Sequence, residues 1–195
     1  MLIAVEGIDG AGKTTISRYI ADILKKRGYD VIVLKEPTDG RYGREIKSSD
    51  KRLDPERELE LFILDRSEDV KNNILPALKA GKVVIMDRYY YSNIAYQSAV
   101  GLDGKEIKKR NEEIAPKPDL VILLDVDPEI ALRRIASRGK LTPFEELEYL
   151  KKVRENFLKY SDDVTVVVDA SKPLEKVKEE IDRIISGFLR SREEP

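Results

Sequence analysis

Between the apolar run Leu2-Ile3-Ala4-Val5 and a stretch of helical periodicity stands the octapeptide Gly7-Ile8-Asp9-Gly10-Ala11-Gly12-Lys13-Thr14. It follows the pattern G-x-x-x-x-G-K-[ST], whose glycines let successive backbone N–H groups converge on phosphate oxygens. The helix behind it adds the positive end of its dipole. A strand, a tight loop and a helix in that order commit the chain to an α/β architecture, with ligands bound beyond the carboxyl ends of the strands. Lys13 is expected to reach the β- and γ-phosphates of ATP and the Thr14 hydroxyl to ligate Mg2+. Gly7, Ile8, Asp9, Gly10, Ala11 and Gly12 form the rest of that ATP-binding loop.

The remainder of the chain repeats the alternation. Ile16, Tyr19, Ile20, Ile23 and Leu24 recur at helical spacing, and Gly28 ends that helix. Apolar runs at 31–34, 83–86, 120–124 and 164–168 predict four more strands. Asp54-Pro55 opens a long helix carrying Leu59, Phe62, Ile63 and Arg66 towards Gly81, and Glu36 to Gly40 is a loop by its Pro and Gly content. Further helices are expected at 92–100, 104–115, from Pro128 towards Arg138, at 143–160, and along the stripe Leu174, Val177, Ile181, Ile184, Ile185, Phe188. The charged tail from Arg190 is expected to fray. Five strands alternating with helices predict a parallel sheet covered on both faces in a single domain spanning 1–195, with no repeat or linker.

Composition narrows the chemistry. The chain has no Cys, so thiolate metal sites, disulfides and a Cys nucleophile are excluded, and no His, so proton transfer falls to Asp, Glu, Lys or Tyr. A formal net charge of -1 offers no basic field to nucleic acid or anionic lipid. The apolar runs are strand-sized, and Met1 leads directly into one of them without a basic export segment, so the cytoplasm is the expected compartment and no membrane partner is expected. Charged residues make up 37% of the chain with the two signs interleaved, the pattern of surface ion-pair networks suited to high temperature.

Asp87-Arg88-Tyr89 follows the third predicted strand. A carboxylate there can hold Mg2+ through its water shell, and the adjacent Arg can clamp donor and acceptor phosphates together, reducing their repulsion. No Asn-Lys-x-Asp element for guanine occurs in the chain. Together with Glu6-Gly7-Ile8-Asp9-Gly10-Ala11-Gly12-Lys13-Thr14-Thr15, Glu36-Pro37, Phe62-Ile63-Leu64-Asp65-Arg66, Ser92-Asn93-Ile94-Ala95-Tyr96-Gln97, Arg134 and Arg138-Gly139, this element makes essentially the whole chain resemble the thymidylate kinase family. The resemblance implies a three-layer P-loop kinase fold with a five-stranded parallel sheet flanked by helices and a short lid at about 134–145. It also implies a homodimer, and direct in-line phosphorylation of dTMP to dTDP by Mg-ATP, a step towards dTTP.

Each matching position then carries an implied role. Phe62 resembles the aromatic that stacks on thymine, Arg66 the donor to a thymine carbonyl, and Asn93 the residue that pairs with the base edge. Tyr96 would pack where a 2′-hydroxyl would lie. Asp9 matches the acid that reads the 3′-hydroxyl near the metal, and Arg88 the phosphate clamp. Read without the family, Phe62 and Tyr96 equally suit plain core, Arg66 a pair with Asp65 or Asp69, and Asn93 a helix start. The x positions of the phosphate loop hold no basic residue, so the lid is expected to supply one: Arg138 for transfer, and Arg134 beside ATP. Lys35 stands before Glu36-Pro37, where bacterial members often have Arg, and Thr38-Asp39-Gly40 stands after it, which leaves open whether Arg41 or Arg44 meets the acceptor phosphate. A kinase acting on dUMP, another pyrimidine monophosphate or a nucleoside is the nearest alternative, and a nucleotide switch without an acceptor the next.

Overall fold

The apolar runs become strands β1 (Leu2–Glu6), β2 (Val31–Lys35), β3 (Val83–Asp87), β4 (Leu120–Asp125) and β5 (Thr165–Asp169). The computed structural model describes residues 1–48, 53–136 and 143–193. All five strands pair in parallel, in the order β2-β3-β1-β4-β5. The three middle strands are apolar almost throughout, as burial on both faces requires. Ile3, Val84, Ile85 and Ile122 are fully enclosed, each stabilising the fold by about 1.5–3 kcal/mol relative to exposure. Cover is incomplete at the edges: Val33 of β2 is 38% and Val167 of β5 is 45% exposed. The two-sided burial expected from the sequence therefore describes the middle of the sheet only.

Flanking the sheet are α1 (Lys13–Lys26), α2 (Arg41–Ser48), α3 (Pro55–Asp69), α4 (Leu75–Lys79), α5 (Tyr90–Ser98), α6 (Gly104–Glu112), α7 (Pro128–Ala136), α8 (Pro143–Lys159) and α9 (Leu174–Glu193). Asp54 caps α3 by accepting from the N–H groups of Glu56 (3.1 Å) and Arg57 (3.3 Å), with Pro55 in the first turn. The long helix predicted to run on to Gly81 is interrupted by a π-helical turn, Val70–Ile74, before α4. Pro76 explains the widening, because it has no N–H to donate and its ring crowds the carbonyl four residues back. Helix α2 was not expected: its sequence RYGREIKS is polar, and Gly43 is its one buried residue. The charged tail, expected to fray from Arg190, instead continues α9 to Glu193. Arg192 bonds Asp119 Oδ1 at 2.7 Å there, while Asp119 Oδ2 accepts from the N–H of Leu2 at 2.7 Å. Among the described residues no helix is long and apolar enough to cross a membrane.

For the site, the decisive pairing is β1 with β3. Val5 lies opposite Asp87, and Arg88 donates its N–H to the carbonyl of Val5 at 3.1 Å. The phosphate-loop motif and the Asp87-Arg88-Tyr89 motif thus leave the sheet side by side.

Candidate active site

The loop after β1 turns through left-handed backbone at Gly7 (φ 141) and Gly10 (φ 82). A Cβ on Gly7 would stand 2.5 Å from the carbonyl oxygen of Leu124, and one on Gly10 2.5 Å from that of Ala131. Glycine is therefore demanded twice, by the turn and by the close approach to β4 and α7. Helix α1 starts at Lys13 with no side-chain cap, so its first N–H groups are available to an anion. Lys13 is buried, donating to the carbonyls of Gly7 (2.9 Å) and Ile8 (2.8 Å). Burial, and then the nearby Arg88 charge, pull its ammonium down to about 7, against the carboxylates of Asp9, Asp87 and Glu6. Thr14 donates its hydroxyl to Asp87 Oδ2 at 2.5 Å, with Lys35 Nζ 3.7 Å from the same oxygen.

From this loop a cavity of about 350 Å³ extends between α3 and α5. The end beside the loop is a side-chain cluster. Arg88 Nη2 donates to Asp9 Oδ1 at 2.5 Å, Asp9 N–H donates to the Tyr96 hydroxyl oxygen at 3.0 Å, and the Tyr96 O–H lies 3.2 Å from Asp9 Oδ2. The Arg88 guanidinium sits 5.2 Å from the centre of the Tyr96 ring. Partial desolvation works against the Asp9 carboxylate, but the Arg88 and Lys13 charges outweigh it and hold Asp9 below the usual carboxylate range.

The far end is walled by Glu58, Phe62 and Arg66, one helical face of α3 at four-residue spacing, and by Asn93 and Gln97 of α5. Arg66 is 1% exposed. Its Nε (2.9 Å) and Nη2 donate to Glu36 Oε2, and its Nη1 donates to Asn93 Oδ1 (3.3 Å) and Asn111 Oδ1. Asn111 Nδ2 also donates to Asn93 Oδ1 (3.1 Å), Asn93 Nδ2 to Gln97 Oε1 (2.8 Å), and Gln97 Nε2 to Glu58 Oε2 (2.8 Å). The polar wall is thus a continuous network with a fixed sense. Glu36 Oε1, at one end of this network, is buried without a hydrogen-bond partner among the described residues, and burial pushes that carboxyl up to about 7 although Arg66 opposes it.

A second groove, of about 330 Å³, runs behind the phosphate loop past Gly10, Ala11, Thr15, Lys172 and Leu174. Arg134 lines it, donating to the carbonyls of Gly10 (3.3 Å) and Ala170 (3.0 Å).

The model of the thymidylate kinase family matches residues 5–181. A probable thymidylate kinase of Archaeoglobus fulgidus is 66% identical over 189 residues, covering 97% of this chain and 96% of its own. A probable thymidylate kinase of Thermococcus onnurineus is 41% identical, covering 98% and 100%, and a thymidylate kinase of Xanthomonas euvesicatoria 43% identical, covering 98% and 86%. The chain belongs to the thymidylate kinase family.

The all-parallel sheet flanked by helices is that of a P-loop kinase, and the chain is a nucleotide-binding phosphotransferase. Asp9, Phe62, Arg66, Arg88, Asn93 and Tyr96, proposed from the sequence, all line the one cavity. Phe62 lies outside the enclosed core, Arg66 pairs with neither Asp65 nor Asp69, and Asn93 stands in the second turn of α5, whose N-cap is Tyr89. Arg134 faces the second groove and not this cavity, and neither Arg41 nor Arg44 lines the cavity. Arg138 and the middle of the expected lid lie outside the described residues. Sequence reasoning gave no role to Glu58, Gln97, Asn111 or Tyr149. The first two lie four residues from Phe62 and Asn93 on the same helical faces, a spacing that would have found them, whereas Asn111 and Tyr149 arrive from α6 and α8 with no local signal.

Proposed function

We propose that this kinase transfers the γ-phosphoryl group of ATP to a phosphate oxygen of dTMP, giving ADP and dTDP. The observation that carries the proposal is one cavity joining a phosphate end, Asp9, Arg88 and Tyr96, to a base-sized end, Phe62, Arg66 and Asn93, beside the phosphate loop. The acceptor oxygen attacks the γ-phosphorus in line as the bond to the bridging oxygen of ADP breaks. The acceptor phosphate is largely ionised at neutral pH, so no side chain has to remove a proton and the lack of His is immaterial. Lys13 and Arg88 neutralise the charge that otherwise keeps the two anions apart. The arriving triphosphate supplies the negative charge that keeps the Lys13 ammonium protonated. Arg134 lines the second groove, which supports a role for it beside the donor nucleotide, and the resemblance assigns Arg138 to the transferring group.

The Thr14 hydroxyl and the Asp87 carboxylate, in contact at 2.5 Å, form an all-oxygen donor pair that suits a hard cation. Among the described residues there is no cluster of three carboxylates or imidazoles, and Mg2+ shared with phosphates and water needs none. These two residues would hold Mg2+, the Asp87 carboxylate through water; once bound it neutralises phosphate charge.

At the base end, Phe62 stacks on thymine. Four of the five N–H groups of Arg66 are spent within the protein, which leaves one on Nη2 for a thymine carbonyl. Asn93 has both Oδ1 lone pairs engaged and one Nδ2–H free, so it meets the base as a donor unless Asn111 yields. Tyr96, tied to Asp9, closes the space beside the sugar and favours deoxyribose. A homodimer, which rests on the family resemblance, and a cytoplasmic location, which rests on the composition, complete the proposal; a monomer mass in sedimentation removes the first.

An ADP-release assay with Mg-ATP against a panel of nucleoside monophosphates tests the activity. dTMP is expected to give the highest kcat/KM. Turnover that ignores the added monophosphate overturns the proposal.

A further inference from the structure

Below the phosphate end lies a carboxylate that does not line the cavity. Glu6 ends β1, is fully buried, and accepts three hydrogen bonds from one short piece of chain. Oε1 takes the N–H groups of Tyr89 (2.8 Å) and Ser92 (3.2 Å), and Oε2 takes the Ser92 hydroxyl (2.5 Å). These are groups at the start of α5, whose N-cap, Tyr89, makes no side-chain cap of its own. Glu6 therefore does from a neighbouring strand what an N-cap does from within a helix.

The residue just before this turn is Arg88. At φ 73 it is the one non-glycine residue with positive φ among the described residues. Such backbone persists only where the surroundings hold it, and it clusters where a side chain must be aimed. Arg88 Nη1 donates to Ser92 Oγ at 3.1 Å, and Nη2 to Asp9. The Ser92 hydroxyl spends its proton on Glu6 Oε2, which leaves its lone pairs facing Arg88.

We propose that Glu6 is a positioning residue for the Arg88 clamp: it holds the left-handed turn and fixes the Ser92 hydroxyl as the acceptor that aims the guanidinium. This rests on Arg88 being the clamp on the acceptor phosphate. Glu6→Gln keeps the shape and can still accept both N–H groups through one oxygen. Its amide nitrogen, however, now donates towards Ser92 Oγ, so the hydroxyl loses its acceptor and Arg88 must compete for the lone pairs. Ser92→Ala cuts the same link from the other side and leaves the carboxylate in place.

The test is a double-mutant cycle on the full-length enzyme, with ADP release as readout and thermal melting to establish folding. Glu6→Gln and Ser92→Ala are each expected to lower kcat with dTMP by about 10- to 100-fold, with KM for ATP changed by less than about threefold, since ATP is held by the phosphate loop. Added to Arg88→Ala, neither is expected to lower kcat further, because the group through which it acts is gone. A folded Glu6→Gln and a folded Ser92→Ala that both turn over like wild type overturn the inference, as do losses that multiply in the Arg88→Ala background. If Glu6→Gln does not fold, Ser92→Ala carries the same cycle. Near-wild-type turnover in Arg88→Ala alone removes the clamp itself, a failure visible without reference to Glu6.

Discussion

The two ends of the cavity are built by different means. At the phosphate end, one loop of eight consecutive residues leads into the uncapped start of α1 and carries the Lys13 ammonium, and Asp87 and Arg88 arrive together from the neighbouring strand β3. At the base end, α3, α5, α6 and the end of β2 each lend one or two side chains to a closed network in which Glu36, Arg66, Asn93 and Asn111 are all nearly inaccessible. A phosphate end of this kind should lose catalysis without losing its fold, because its charges are arranged for a ligand. The base end should lose its fold first, because its charges serve one another.

The sharpest separation is in turnover. Lys13→Ala, Asp87→Asn and Arg88→Ala are each expected to lower kcat by about 10²–10⁴-fold while the chain still folds and melts cooperatively; Arg88→Ala with undiminished kcat breaks the comparison. Next comes Arg66→Ala, which strands Glu36 in a pair whose side chains are 2% and 3% exposed. Breaking a buried pair from one side costs about 3–5 kcal/mol, a fall in Tm of roughly 6–20 °C for a chain of this size. A melting midpoint unchanged in that variant would show the network to be dispensable for folding.

Smaller effects belong to the base itself. dUMP lacks only a methyl group, so kcat/KM is expected to fall by about 10–200-fold relative to dTMP. Phe62→Ala is expected to raise KM for dTMP by about tenfold and leave KM for ATP as it was. Equal loss for both substrates would place Phe62 in the scaffold.

The subtlest contrast is in pH, where the two ends have opposite signs. Glu36 rises from 4.5 to about 7 in the fold, so the folded chain keeps a proton that the unfolded chain releases. Its contribution is present in acid and is lost as pH rises through 7. Lys13 falls from 10.5 to about 7, so the unfolded chain takes a proton that the folded chain refuses. Its contribution is present in alkali and is lost as pH falls through 7. Melting of the ligand-free protein from about pH 5 to about pH 10 should lose its acid limb in Glu36→Gln and its alkaline limb in Lys13→Met. Saturating ATP should flatten the alkaline limb of the wild type, since phosphate gives Lys13 a reason to stay charged. An alkaline limb that survives Lys13→Met contradicts this assignment.

What was legible in the residues alone follows the same division. Period and punctuation located all five strands, and the phosphate loop could be read because its function lies in eight adjacent backbone units, where sequence order and spatial order coincide. The family's spacing carried Phe62, Arg66, Asn93 and Tyr96 to one cavity for a related reason: three- and four-residue steps on a helix are neighbours in space. Tertiary structure alone decided the order β2-β3-β1-β4-β5, which seats Asp87 beside Val5 across some eighty positions of chain. It alone paired Arg66 with Glu36, brought Asn111 behind Asn93, and turned Glu6, at the end of an apolar strand, into the anchor of a turn far along the chain. Such partners are chosen by burial: a polar group removed from water bonds whatever packing places beside it, and sequence distance has no part in that choice.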